Sequence, residues 1–390
     1  MIVSKLPQVG TTIFTVMSRM AAECGAINLS QGFPEFSPPK RMLDLVSRHM
    51  SDGANQYAPM AGDPGLRDAI SRKVKRLYGG SYDPEKEITV TAGATQAIFT
   101  AIAACVHPGD EVILFPPVYD SYLPAVLLAG GKPVCVPLSF PGYRPDWQKT
   151  ADRITPRTRM ILLNTPHNPT GTAWKESDLQ ALHAVVQGTS VLLLADEVYE
   201  HVLYDSRPHQ SLARFPELRE RSFLVSSFGK TYHMTGWKIG YCLAPGELMS
   251  EFRKVHQFNV FAVNHPMQRA IADFMAEVPD FETGLSAFYQ AKRDFFRAQL
   301  EGTPFTLMPC EGTYFQLAGY EKISGMADRD FVVELTRRYG VAAIPVSAFH
   351  PGGEDRRQIR FCFAKNESTL AAAAARLRAV SAPFPLEKTS

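Results

Sequence analysis

A lysine held at the end of a buried strand can attack a carbonyl, and Lys230 stands where that chemistry is possible. It lies in Ser226–Gly240, SSFGKTYHMTGWKIG, just after the apolar run Phe223–Val225. Desolvation or a neighbouring cation at such a place lowers an amine's pKa from about 10.4 and frees its lone pair. A second lysine, Lys238, follows on the same stretch. The tetrapeptide FGKT looks like the tail of a P-loop. That motif needs a glycine five residues before Gly229, and position 224 is Leu, so a P-loop is rejected. Taken alone, Lys230 is equally readable as a surface turn lysine.

Three other strand ends carry polar groups. Ile88–Thr91 runs into Ala92-Gly93-Ala94-Thr95-Gln96 and a helix start. Backbone N–H groups of Gly93, Ala94 and Thr95 at such a junction suit a phosphate, although an ordinary turn capped by Thr95 reads as well. A G-x-G-x-x-G fingerprint is absent, which counts against a dinucleotide. Arg159–Leu163 ends in Asn164-Thr165-Pro166-His167-Asn168-Pro169-Thr170-Gly171, a rigid loop able to aim the Asn168 amide. The alternative is that Asn168 satisfies its own backbone, and His167 reads as structural. Val191–Ala195 ends in Asp196-Glu197-Val198-Tyr199. A carboxylate there needs a partner, or else Asp196 caps a helix.

The elements that would position these residues are legible as periods. Apolar strand candidates are 88–91, 111–115, 133–137, 159–163, 191–195, 223–227 and 239–244, with helical stretches such as 94–105 and 175–186 between them. Strands that are apolar throughout are covered on both faces. This predicts an α/β protein with a mostly parallel seven-stranded sheet between helices. The connection 228–238 is too short for a helical crossover, so the last strand is expected to be antiparallel. Residues 11–24, 39–50, 65–77 and 285–300 read as helices, and 27–34 as a loop. Strands near 304–308, 313–317, 341–345 and 358–363, with helices at 328–338 and 367–380, predict a small α+β domain. The expected division is 1–45 as an N-terminal segment joining the small domain, 46–285 as the large domain and 286–390 as the small one.

The 390 residues can bury a large core without staples. Lys and Arg number 41 against 39 Asp and Glu, which gives no reason to expect nucleic acid or an anionic membrane as partner. The N-terminus has no signal-peptide core and no run approaches a membrane span. Cysteines 24, 105, 135, 242, 310 and 362 show no metal spacing, so free thiols in the cytoplasm and no metal are expected.

In an open α/β sheet, ligands bind at the carboxyl ends of strands, where all four features fall. A lysine for a Schiff base, an acid for a ring N–H, hydrogen-bond donors and a phosphate cup together describe a pyridoxal phosphate site. At this point the chain resembles the fold type I, class I/II aminotransferases. The resemblance rests on GATQ at 93–96, NTPHNPTG at 164–171, DEVY at 196–199, SSFGKTYHMTGWKIG at 226–240 and RFCFAK at 360–365. It covers essentially the whole chain. INLSQGFPEF and NQYAPMAG point to a branch containing bacterial methionine aminotransferases with glutamine and kynurenine transaminases.

The resemblance implies that Lys230 bonds the cofactor and that Asp196 pairs with its ring nitrogen. It also implies that Tyr199 and Asn168 bond its phenolic oxygen, that Tyr119 stacks on the ring, and that Ala94, Thr95, Ser227 and Lys238 hold the phosphate. Many relatives have Arg at the last position, and Lys supplies charge without the fork. Tyr57 matches a residue that reaches the neighbouring subunit's phosphate, which implies a homodimer with shared sites. For Tyr57 and Tyr119 plain packing is the alternative. Arg360 matches a clamp for the substrate carboxylate, assisted by Gly32 and Asn168. Phe14, Phe33 and Phe261 are candidates for an apolar side-chain pocket and equally for core. The implied reaction is transfer of the amino group of L-methionine and other bulky apolar or aromatic amino acids to 2-oxo acids, with glutamine, histidine and kynurenine as further candidates. A C–S β-lyase on the same cofactor is the alternative, and a non-catalytic effector-binding fold is a more distant one.

Overall fold

The computed structural model describes residues 2–380. Thirteen strands occur there: β1 Ile27–Asn28, β2 Ile88–Thr91, β3 Glu111–Leu114, β4 Lys132–Cys135, β5 Thr158–Asn164, β6 Leu192–Asp196, β7 Ser222–Ser227, β8 Gly240–Leu243, β9 Thr306–Leu307, β10 Phe315–Gly319, β11 Val341–Ala342, β12 Ile344–Pro345 and β13 Gln358–Cys362. Seven form one sheet in the order β2-β8-β7-β6-β5-β3-β4. Strand β8 is antiparallel to both neighbours and the remaining pairings are parallel. The carboxyl ends of β2, β5, β6 and β7 therefore leave the sheet on one edge.

Alternation explains why these strands read as unbroken apolar runs. In β5, Ile161 and Leu163 enter one core, whereas Met160 and Leu162 enter the core on the opposite face. Strand β7 does the same with Leu224 against Phe223 and Val225. Each such side chain, fully buried, contributes roughly 1.5–3 kcal/mol of transfer free energy. The helices that cover the sheet start and stop on local chemistry. Helix 64–78 begins with the Asp63 carboxylate accepting from Leu66 N at 3.2 Å, has Pro64 in its first turn and ends at Gly79 with φ +74°.

A second sheet, β12-β13-β10-β9, is antiparallel, and a third core lies around it. Two expectations need correction here. The run 341–345 is not one strand: Val341–Ala342 pairs in parallel with β1, while Ile344–Pro345 pairs with β13. Ile27–Asn28, expected in a loop, is that partner strand. The correction matters for the site. Leu29 N donates to Ala342 O at 3.0 Å and Cys362 N to Leu29 O at 2.8 Å, so the segment 29–32 is laid beside β13. Of the ranges drawn from sequence, residues 1 and 381–390 lie outside the described residues. Among the described residues no helix is long and apolar enough to cross a membrane, and no group of three or more His, Cys, Asp or Glu could hold a metal.

Candidate active site

Strand β7 ends at Ser227, and one helical turn, Phe228–Thr231, carries Lys230 into a cavity at the strand ends. The surface-turn reading of Lys230 fails. Its Nζ donates to the Tyr314 hydroxyl at 2.9 Å and to Gly32 O at 3.2 Å, and lies 5.4 Å from the ring centres of both Tyr199 and Tyr314. No carboxylate among the described residues pairs with it. Burial pulls its pKa down to about 8, with the Arg360 and Lys238 charges adding to the fall and Cys362 and Asp196 opposing it.

Asp196 closes β6 and is buried. The Tyr122 hydroxyl donates to its Oδ2 at 2.5 Å and Val198 N to its Oδ1 at 3.3 Å. No helix follows, so Asp196 is a cap only for this tight turn. Burial pushes its carboxyl up to about 6, against those two hydrogen bonds and the Lys230 charge. An acid in that state is short of a cationic partner. Tyr199, three residues on, packs edge to face on Tyr314 at 5.1 Å, and burial raises its phenol far above the usual value.

The loop after β5 is locked by its own side chains. Asn164 Nδ2 donates to Asp196 O at 2.9 Å, and Asn164 Oδ1 accepts from Asn168 N at 2.8 Å. His167 shares a hydrogen bond with the Thr170 hydroxyl at 2.7 Å, and burial drives its pKa down to about 3, so it is neutral and structural. The Asn168 side chain does not serve its own backbone: its Oδ1 accepts from Arg360 at 2.6 Å.

The phosphate-type donors also gather. Helix 93–105 has no side-chain cap. Thr95 lies inside the first turn, so the expected alternative that it is the cap is replaced by Ala92 in that position. Gly93 has φ +76°, and a Cβ there would stand 3.3 Å from Lys238 Nζ. The Lys238 side chain is thus laid against the free helix end. Ser227, Thr235, Ala94, Thr95 and Tyr119 line the same cavity. Gly240 permits the close packing, since a Cβ would meet Ser226 O and Ala94 N.

Beyond Lys230 the cavity continues into a recess containing Gly32, Phe14, Asp120, Asn168, Phe315 and Arg360. Arg360 is 1% exposed, yet no carboxylate pairs with it among the described residues. Its terminal nitrogens donate to Asn168 Oδ1 and, at 3.2 Å, to Ser30 O; its Nε is buried with no partner. Phe315 stacks on the guanidinium at 3.8 Å. Burial lowers its pKa to about 10, where it remains charged. A buried cation with an unspent N–H needs an anion. Gly32 O already accepts from Lys230 and Tyr314, so only the Gly32 N–H is suited to a carboxylate.

Tyr57 is 82% exposed, packs on Phe261 at 5.3 Å and does not line this chain's cavity. Of the three phenylalanines, Phe14 reaches the recess; Phe33 lies under Lys365 Nζ at 4.7 Å instead. Sequence reasoning passed over Tyr122, Tyr314, Phe315 and Asp120. A phenol spaced three residues after Tyr119 was the only available signal for Tyr122.

Carbonyl chemistry on a small molecule bearing a carboxylate is the class of reaction that this lysine, this acid and this arginine define together. The model of the aminotransferase class I and II family matches residues 25–377, and the chain belongs to that family. It is 50% identical over 375 residues to a methionine aminotransferase of Escherichia coli (strain K12), covering 96% of this chain and 97% of that one. A crystal structure of an Escherichia coli protein described as a methionine aminotransferase superposes with a TM-score of 0.95 at 50% identity, covering 97% of this chain and 99% of that chain. Human kynurenine–oxoglutarate transaminase 3 is 34% identical over 93% of this chain and 87% of its own length. All three are amino-group transferases by name, and the lyase reading gains no support from them.

Proposed function

We propose that the protein is a pyridoxal-phosphate aminotransferase that takes its amino group from L-methionine and other bulky apolar or aromatic amino acids and passes it to 2-oxo acids. One observation carries the reading: a lysine with a lowered pKa and a buried arginine line one recess, and neither has a carboxylate partner among the described residues.

The residues fit the cofactor. Asp196 would face its ring nitrogen and keep it protonated, Tyr199 and Asn168 would meet its phenolic oxygen, and Tyr119 would pack on the ring. The helix end at Gly93, Ala94 and Thr95, with Ser227 and Lys238, would hold the phosphate. When bound, pyridoxal phosphate supplies an electron sink for the substrate's α-carbon. Lys230, once free, would take the proton from that carbon and return it, and its burial, which holds the amine below the ordinary lysine value in the free chain, favours the neutral form that a base requires. Arg360 binds the substrate carboxylate through Nε and its remaining N–H groups, assisted by the Gly32 N–H and Asn168.

Phe14 and Phe315 give the recess apolar walls. Asp120 places a carboxylate in the same recess, which disfavours acidic side chains by like-charge repulsion. The Escherichia coli relative at 50% identity supports methionine as the donor. We read the enzyme as a homodimer in which Tyr57 of the partner subunit completes the phosphate site, supported by the exposure of Tyr57 and Phe261. Segment 1–45 with 286–390, against 46–285, is our division into domains. Six free cysteines accord with a cytoplasmic setting.

The test is a half-reaction. Purified protein carrying the cofactor receives L-methionine with no acceptor. Loss of the cofactor's absorption band with stoichiometric 2-oxo acid is expected. Continuous release of ammonia and a thiol would overturn the transferase reading in favour of a lyase.

A further inference from the structure

Tyr314 belongs to none of the motifs that define the site, yet it is the direct partner of Lys230. It is fully buried, just before β10. A phenol has one proton to give. Gly32 O can only accept, so the contact at 2.8 Å takes that proton, and the Tyr199 hydroxyl, which also reaches Tyr314, then donates its own proton to the phenol oxygen. The phenol oxygen must then accept from Lys230 Nζ at 2.9 Å. Gly32 O accepts from the same nitrogen at 3.2 Å. Both partners of Nζ thus take hydrogen bonds from it and give none, so the deprotonated amine keeps its lone pair free.

We propose that Tyr314 and the Gly32 carbonyl form the berth that the Lys230 amine occupies whenever it is not bonded, and that Tyr314 is thereby a positioning residue for its proton transfer. The inference rests on the reading of Lys230 as the working amine. A lysine stem is flexible, and Asp196 and the phosphate-type donors lie in the same cavity. The berth draws the amine instead to the side where Gly32, Asn168 and Arg360 line the recess. Its geometry depends on the close approach of segment 29–32. A Cβ at Gly32 would stand 2.8 Å from Phe315 Cζ, so a side chain there displaces the ring that stacks on Arg360.

The test is Tyr314→Phe, which keeps the ring against Tyr199, Tyr289 and Phe315 and removes only the hydroxyl. Two quantities are measured. One is the methionine half-reaction rate of the loaded enzyme, with protiated and α-deuterated substrate. The other, in protein stripped of cofactor, is the pH midpoint for modification of Lys230 by trinitrobenzenesulfonate, followed by peptide mass. Loss of a neutral acceptor to an ammonium disfavours the charged form. The midpoint should therefore move to lower pH by about one pH unit. The half-reaction should slow by about 10- to 100-fold with a larger isotope effect. An unchanged midpoint overturns the berth, whatever the rate does. Failure of the wild type to turn over methionine would sink the functional reading alone, because the midpoint is read without methionine.

Discussion

Two lysines border the same sheet, Lys73 against Tyr241 of β8 and Lys230 in the cavity at the strand ends, and their surroundings make them different chemical objects. Lys73, on helix 64–78, donates to Glu200 Oε1 at 2.7 Å and to the Tyr241 hydroxyl at 2.9 Å. Glu200 also accepts from Tyr78 at 2.5 Å, from Tyr241 at 3.1 Å and from Ser226. Burial works against the Lys73 charge, but the Glu200 carboxylate outweighs it and the amine is raised above its ordinary value. Lys230 has a phenol and a carbonyl instead of a carboxylate, and falls to about 8. Ser226 and Ser227 show how close the two environments are. Adjacent on β7, they point to opposite faces, one to Glu200 and the other to the candidate site. Burial alone does not make a lysine reactive; burial without a counter-charge does.

The largest expected effect separates the two at once. Lys230→Ala should slow amino transfer by about 10⁴-fold, the upper end for a lost general base, and leave a folded protein. Turnover near the wild-type rate in a product assay would remove Lys230 from the chemistry. The counterpart is Lys73→Met. It leaves Glu200 as an uncompensated buried carboxylate, which costs roughly 3–5 kcal/mol. Denaturant unfolding should show that loss, while the rate per folded molecule stays close to wild type. Adding Glu200→Gln to Lys73→Met should recover much of it, since breaking one partner is worse than removing both. Lost activity at unchanged stability would mean that the two lysines are not divided as described.

The sequence made the frame legible because the frame is repetitive. Strands buried on both faces announce themselves as apolar runs, and the polar residue that ends each run is conspicuous. Asp196, Asn168 and Lys230 were found in this way. What was not legible has no period. The pairing of Asn168 with Arg360 spans 192 residues, and no local pattern encodes it. Strands β1 and β11 are two residues each, too short to alternate. Tyr314 sits among core aromatics and looks like one of them until its hydroxyl is followed to Lys230. Arg360 was singled out by family resemblance, and its burial without a carboxylate is visible only in three dimensions.

The smallest effect concerns how the two lysines respond to pH. In protein freed of cofactor, Lys230 has a folded pKa near 8 and an unfolded one near 10.5. Between those values the unfolded chain holds a proton that the folded chain does not, so stability rises with pH across that window. Below it the burial cost is present in full. Complete burial would make that cost about 3 kcal/mol, but Lys230 is half-buried beside a polar cavity, so roughly 1–2 kcal/mol is expected after solvent screening. Lys230→Met removes the titration. Unfolding free energies for wild type and variant at pH 7.5 and 9.5 should therefore converge as pH rises, with the variant the more stable at the lower pH. Lys73, raised rather than lowered by its pair, adds no such slope in this range, because it is protonated in both states until its unfolded pKa is reached. A parallel pH dependence for the wild type and Lys230→Met would mean that Lys230 stays charged in its pocket, and that the missing counter-charge is supplied by something other than the chain.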